Sequence, residues 1–377
     1  MTIAATEWYA PSAVAPVLRR EVRSAHRTVG TLLWAILIPF AAESVLRARA
    51  WHLNGSDTPV ANIYEPDSEL GRRLRPGATL NGSRRQVSIN SLGFRGPEIP
   101  KDKPAGTVRI VALGDSTTFG MEASGDQAVW VERMVGRLRD SSFGKGFDAI
   151  NAGVPGYTLA VSAEQLIRYI APVDPDVVIV NQVTTDIAAH GRRQFRANAA
   201  TSEPPSVLTK FLEENSLLVN VVRQNTTALT RKYIPRRRFD RLDDRGVAEY
   251  AERLGNLLEI CRERGWRMIL CTCPRSFGDA SATADQYGPA ATALANNPAL
   301  SLIGLNDAFD RYNEAIRQVA RRLGAPLVDL DRLVPKRAEC FVDAVHLNDA
   351  GHDLVGGLIA DVVAIQLLNS ELPQGHQ

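Results

Sequence analysis

Cysteine is scarce in this chain of 377 residues, with only four present. Cys261, Cys271, Cys273 and Cys340 are too few and too clustered for a disulfide scaffold. No spacing of cysteine and histidine suggests a metal site. An excess of one charge is also missing. The 44 basic and 42 acidic side chains leave a formal net charge of +2, which gives no global pull toward nucleic acid or an acidic partner. A phosphate-cradling glycine loop, a dinucleotide fingerprint, internal repeats and low-complexity tracts are absent, so no cofactor is expected. What remains is ordinary globular usage, 45% hydrophobic and 23% charged, from which a packed core is expected.

One apolar run stands out. Val29 to Ala42 is almost unbroken, and extended through Glu43 to Leu46 it reaches about the minimum length that spans a bilayer. Arg19, Arg20, Arg23, His26 and Arg27 precede it, and the lighter pair Arg47 and Arg49 follows. By the positive-inside rule the N-terminus stays in the cytoplasm and the remainder is exported. The expected organisation is a cytoplasmic tail over 1–27, a transmembrane anchor over 28–46, a connecting segment over 47–106 and an α/β domain over 107–370. Two alternatives stay open. Ala48-Arg49-Ala50 has the small-x-small form of a signal-peptidase site, and the run could instead be a buried helix of a soluble protein.

Trp51 to Gly106 is rich in Pro, Gly, Asn and Arg; its Asn90-Ser91-Leu92-Gly93-Phe94-Arg95-Gly96 reads as a turn with short extended flanks. From Thr107 the pattern alternates between strand and helix. Strands are expected at Val108–Leu113, Asp148–Ala152, Asp176–Val180, Arg267–Cys271 and Pro326–Leu330. Helices are expected at Val129–Leu138, Ser162–Ile170, Val247–Arg264, Leu305–Leu323 and Ala350–Leu368. Ile187 to Arg245 breaks this rhythm as a basic insertion. Five strands alternating with helices imply a parallel sheet covered on both faces, a three-layer αβα arrangement of flavodoxin-like order 2-1-3-4-5. Ligands of such sheets sit at the carboxyl ends of the strands.

Two motifs fall at those ends. Gly114-Asp115-Ser116 follows the first strand, where a serine is exposed at the sheet edge. Alone it is weak, since the tripeptide arises by chance in about one chain in ten of this length and Asp115 or Ser116 could simply cap a helix. Asp343-Ala344-Val345-His346 lies between the last strand and the last helix. A serine hydroxyl needs a base, imidazole suits that task near neutral pH, and a carboxylate fixes the imidazole's tautomer. Asp-x-x-His occurs by chance in roughly half of chains this long, so the position of both motifs on one sheet carries the weight.

With Asn151-Ala152-Gly153-Val154-Pro155-Gly156 after the second strand, these motifs resemble the SGNH/GDSL hydrolases. Thr117-Thr118-Phe119-Gly120, the Asn90–Gly96 segment and the single apolar helix are similar to its membrane-anchored bacterial members. The likeness runs from about Tyr64 to Leu368, without the insertion. It implies a catalytic triad of Ser116, Asp343 and His346. It also implies an oxyanion hole from the Ser116 and Gly156 N–H groups and a side-chain amide. Here the chain departs: Val180-Asn181-Gln182-Val183-Thr184-Thr185-Asp186 puts Thr185 where the family has asparagine, with Gln182 or Asn181 as substitutes. The implied activity is serine-esterase hydrolysis of an acylated envelope or secreted glycan, or of a lipid ester. An O-acyltransferase and a glycan-binding or assembly protein with impaired turnover remain as alternatives.

Other signals read as structural. The basic cluster of Arg192, Arg193, Arg196, Arg231, Lys232, Arg236, Arg237, Arg238 and Arg241 is expected to be a solvated face, with binding of anionic glycan or lipid headgroups, or a lid over the strand ends, as the alternatives. Cys271 and Cys273 are expected on one side of the fourth strand, either within reach of Cys340, with buried free thiols as the expected state. His190 has no placed partner, and His352 belongs to the last helix.

Overall fold

The computed structural model describes residues 14–57, 63–141, 144–198, 208, 211, 212, 215–219, 221, 222, 238–278 and 287–371. A long helix, α1 (Val14–Asn54), leads into two small antiparallel hairpins, β1 (Tyr64–Asp67) with β2 (Gly71–Leu74) and β3 (Thr79–Asn81) with β4 (Gln86–Ser88). The main sheet then begins with β5 (Thr107–Gly114), the one-turn helix α2 (Ser116–Phe119) and α3 (Trp130–Asp140). It continues with β6 (Gly146–Gly153), α4 (Leu159–Gln165), β7 (Val177–Asn181) and α5 (Thr184–Asn198). After the insertion come α6 (Asp244–Glu263), β8 (Arg267–Cys271), α7 (Tyr287–Asn296), α8 (Leu302–Leu323), β9 (Leu327–Val328), α9 (Leu330–Leu333) and α10 (Asp349–Glu371).

The five strands β5 to β9 are parallel and lie in the order β6-β5-β7-β8-β9, which is the expected 2-1-3-4-5. Period-two alternation sorts their side chains into two cores. Val111 and Leu113 face the side covered by α4, α6 and α8, while Val108, Ile110 and Ala112 face α3 and α10. Every β7 residue is buried, as a central strand covered on both faces must be. Only the fifth strand falls short, with two residues where five were expected. Asp329 ends it by leaving the ladder for Arg317 Nε and Thr272 Oγ1, both at 2.9 Å.

The cysteine expectation needs one correction. All four thiols are free and buried, but Cys271 packs with Cys340 on one face and Cys273 on the other. The strand ends at Cys271. Beyond it the backbone turns, with the Cys273 N–H donating to Asn313 Oδ1 at 2.8 Å, so alternation no longer applies.

The segment before the sheet forms a third apolar cluster. Ile63, Leu74, Leu80 and Val87 from the hairpins pack on Phe119, Val154 and Tyr157, seating the hairpins over the ends of β5 and β6. The Asn90–Gly96 turn is as expected: Asn90 Oδ1 accepts from Leu92 N at 3.1 Å and Phe94 N at 3.0 Å. It delivers buried Arg95, which donates to the carbonyls of Phe119 at 2.9 Å and Gly120 at 2.6 Å and to Asp126 at 2.9 Å. Those carbonyls end α2, so Arg95 satisfies groups that a one-turn helix leaves open.

Helix α1 carries a stretch of 24 residues, Gly30–Leu53, long and apolar enough to cross a membrane. Its side chains from Thr31 to Phe40 are all exposed, so they are not packed on the α/β domain. Near the end of the apolar run the helix does meet the rest of the chain. Glu43 accepts from Ser216 Oγ at 2.9 Å, Leu217 N at 3.1 Å and Leu218 N at 2.7 Å, and pairs with Arg47 at 2.8 Å. Arg47 donates in turn to the carbonyls of Asp57 and Asn215. One acidic side chain thus caps a helical piece of the insertion.

Candidate active site

Three turns at the carboxyl ends of β5, β6 and β7 meet where the sheet order reverses. The first is held by Asp115, which is fully buried. Its Oδ1 accepts from Thr117 N and Thr117 Oγ1, both at 3.0 Å, and so caps α2. Its Oδ2 accepts from the Thr185 N–H at 3.1 Å and from the Thr184 hydroxyl. One carboxylate therefore fastens the first turn to the third. Gly114 makes this approach feasible, since a Cβ there would lie 2.1 Å from Thr118 Oγ1 and 2.3 Å from the Asn181 carbonyl oxygen.

Ser116 is left free to face the Asp343–His346 loop. That loop is closed by an antiparallel bridge between Phe341 and Leu347. The Val342 N–H donates to the His346 carbonyl at 2.9 Å, and Ala344 is held by Thr292 at 3.1 Å and Ser276 at 2.9 Å. Asp343 Oδ1 accepts the backbone N–H groups of Val345 at 3.0 Å and His346 at 2.9 Å. Its Oδ2 lies 2.9 Å from His346 Nδ1, and His346 Nε2 lies 2.8 Å from Ser116 Oγ. Asp115 does act as a helix cap, whereas Ser116 and His346 do not. The last helix is capped by Asn348, whose Oδ1 accepts from Gly351 N at 2.9 Å, and α2 is capped by Asp115.

Electrostatics follow from this geometry. Burial opposes a charged imidazole, yet the hydrogen bond and charge of Asp343 outweigh it, with Asp115 and Glu122 adding, and the His346 pKa rises above its ordinary value. Burial likewise opposes the Asp343 carboxylate, but His346 and the two backbone donors hold its pKa below the usual carboxylate range.

The second turn is Val154-Pro155-Gly156-Tyr157, closed by Tyr157 N to Val154 O at 3.1 Å. Gly156 sits at φ +89°, where a type II turn requires positive φ. Arg72 Nη2 grips the Pro155 carbonyl at 2.9 Å. In a planar trans peptide, the Gly156 N–H then points away from that arginine. Among the described residues, neither this N–H nor that of Ser116 has an acceptor. In the third turn Asp186 accepts from Leu159 N at 3.0 Å and Gln182 Nε2 at 3.2 Å, tying β7's turn to the start of α4. Burial first, with Asp115 adding, pushes its pKa up to about 7.

Ser116, Gly156, Thr184, Thr185 and His346 line one cavity of about 660 Å³. Gln182 and Asn181 do not line it. Gln182 is buried and donates to the Tyr157 carbonyl at 2.7 Å. Thr184 is committed to Asp115, whereas the Thr185 hydroxyl has no hydrogen bond among the described residues. Much of the remaining wall lay beyond sequence reasoning: Ile63, Tyr64, Arg72, Leu80, Arg85 and Val87 come from the hairpin segment, Ala50 and Ser56 from around the end of α1, and Leu217 from the insertion. No periodicity marked these positions.

The basic cluster divides. Arg193 pairs with Glu249 at 3.6 Å and Arg241 with Asp244 at 3.2 Å, as on a solvated face, while Arg192 lines the cavity. Arg231, Lys232, Arg236 and Arg237 lie outside the described residues. His190 is buried between Asp243 at 2.9 Å and Tyr312 at 3.2 Å, where it joins α5 to the start of α6. His352 lies in the last helix, as expected. Among the described residues no group of three or more His, Cys, Asp or Glu side chains is arranged to hold a metal ion.

The family model of the GDSL-like lipase/acylhydrolase family matches residues 112–354. No curated protein matches the chain. Similar solved structures include a lipase/acylhydrolase from Enterococcus faecalis, at 18% identity and TM-score 0.42, covering 69% of this chain and 96% of that one. A variant of an acetylxylan esterase from Geobacillus stearothermophilus aligns at 15% identity and TM-score 0.41, over 70% of this chain and 96% of the other. An acetyl xylan esterase, AlAXEase, aligns at 14% identity and TM-score 0.42, over 68% and 100%.

Proposed function

This chain belongs to the GDSL-like lipase/acylhydrolase family and is an ester-hydrolysing enzyme; on that premise we propose that it works through an acyl-Ser116 intermediate, with His346 as base and acid and Asp343 orienting it. The carrying observation is the relay itself, Ser116 Oγ to His346 Nε2 at 2.8 Å and His346 Nδ1 to Asp343 Oδ2 at 2.9 Å. Ser116 Oγ attacks the ester carbonyl as its proton passes to His346 Nε2. The tetrahedral adduct collapses, and the leaving alcohol takes that proton. Water then attacks the acyl-serine, giving a proton to His346, which returns it to Ser116 Oγ as the carboxylic acid departs.

Negative charge builds on the carbonyl oxygen in both halves of the reaction. The Ser116 and Gly156 N–H groups and the Thr185 hydroxyl are the donors we assign to it. A threonine hydroxyl is shorter than an amide and rotates more freely. Thr185 is fixed here by its own N–H on Asp115, which supports the assignment. Thr185→Val keeps the shape and removes the donor, and is expected to lower kcat about a hundredfold. An unchanged kcat would mean that the backbone groups suffice.

We further propose that the apolar stretch of α1 anchors the enzyme with its tail in the cytoplasm and its α/β domain outside, as the heavier basic flank before it suggests. The substrate is then an acylated envelope or secreted glycan, or a lipid ester. The direct test uses the full chain in detergent with an activated acetyl ester. A burst of leaving group with an acetyl adduct on Ser116, found by mass spectrometry, is expected. Turnover with no burst and an adduct on another residue would refute the mechanism.

A further inference from the structure

Among the described residues three arginines line the cavity, Arg72, Arg85 and Arg192, and no aspartate or glutamate does. Arg85 is neutralised by Glu122 at 3.1 Å and also holds the Met121 carbonyl at 2.9 Å. The other two differ. Among the described residues no carboxylate pairs with Arg72, whose guanidinium lies 4.6 Å from the centre of the Tyr64 ring. None pairs with Arg192 either. Desolvation, then the like charge of Arg196, lowers its pKa from the ordinary value. This is not the habit of the neighbouring surface, where Arg193, Arg245 and Arg311 each have an acidic partner. The unmatched cations stand where the substrate must lie.

A cleft lined by one sign of charge beside apolar walls concentrates the opposite charge. A guanidinium suits carboxylate in particular, through its planar fork of donors. We propose that the cavity selects esters on an acidic, uronate-bearing polysaccharide, with Arg72 and Arg192 pairing sugar carboxylates while the acyl group reaches Ser116. This rests on the esterase reading above and names its substrate class. A polymer is favoured because the two cations come from separate elements, β2 and α5. Successive uronates offer each its own carboxylate, whereas a simple lipid headgroup brings one phosphate.

The test is binding to the full-length Ser116→Ala chain in detergent, by calorimetry, with two acetylated oligosaccharides of equal length. One is an oligogalacturonate and the other a neutral xylo-oligosaccharide. At low salt the acidic ligand is expected to bind about tenfold or more tightly, with the ratio shrinking as salt rises. Arg192→Gln and Arg72→Gln should each bring the ratio toward one. Arg192 is exposed on its helix, so its variant keeps the test valid even if losing the Arg72 contact to Pro155 disturbs folding. Equal affinities in the Ser116→Ala chain, or a preference that survives both substitutions, would overturn the proposal. Arginine-dependent binding to phosphatidylglycerol vesicles over phosphatidylcholine, without oligosaccharide discrimination, would replace the glycan with an anionic lipid. Acetate release by the native chain separates the two readings. Ser116-dependent release with no acidic preference in binding sinks only the anion site. Acidic preference without release from either oligosaccharide or from an activated ester sinks only the esterase mechanism.

Discussion

Replacing Ser116 with alanine is expected to lower kcat toward an activated ester by about a millionfold, with KM changed far less. The hydroxyl contributes to bond making and hardly to ground-state contact, so its loss falls on the chemical step. Folding should not suffer. Ser116 is only half-buried, and the local structure hangs on Asp115, which caps α2 and holds Thr184 and Thr185. The variant should therefore match the native chain in thermal unfolding while showing no burst and no adduct. Activity within about a hundredfold of native would exclude Ser116 as nucleophile, because the groups of such a relay act as a unit.

Asp343→Asn tests the other end of the relay and should cost about ten-thousandfold in kcat. It also carries a pH signature. The base must be neutral, so kcat/KM rises with pH through the His346 pKa. In the native chain that pKa lies above the ordinary imidazole value because Asp343 outweighs burial, and the acid limb should stand correspondingly high. Without the carboxylate burial prevails, and the limb should move to lower pH even as the rate falls. A limb that stays put in Asp343→Asn would mean that another group sets it. A purely structural role for Asp343 would predict lower stability with no movement of the limb.

The main sheet was legible because its strands are short β-branched runs ending in turn residues, and right-handed crossovers leave few ways to order them. Val177–Asn181, buried throughout, is such a run. The last strand was overestimated because Pro326 to Leu330 looks extended, while long-range partners of Asp329 decide where it stops. Ser116, Asp343 and His346 could be placed from their positions at strand ends. The three-dimensional relation of Thr184 to Thr185 could not, since one carboxylate distinguishes them by taking the hydroxyl of one and the N–H of the other. The cavity wall from Tyr64 to Val87 was illegible for another reason. Short hairpin strands alternate over only three or four residues, too few for a period to show, and their place over Ser116 is set by packing on Phe119 and Tyr157.

The contacts of Glu43 and Arg47 also bear on where the enzyme can work. Ala50 lines the cavity and lies four residues beyond Leu46 on the same unbroken helix, a rise of about 6 Å. With the apolar run up to Leu46 seated in the hydrocarbon core as proposed, Ala50 and the edge of the cavity it lines stand about one helical turn beyond that core, at the level of the headgroups. Among the described residues the end of α1 is clasped to the insertion through Glu43 and Arg47 and to the hairpin segment through the Ser83 and Arg84 N–H groups on the His52 and Leu53 carbonyls. On the proposed placement and substrate, an acylated polymer would have to be brought down to the membrane face to reach Ser116, and the enzyme would be confined to chains emerging from, or held against, that surface.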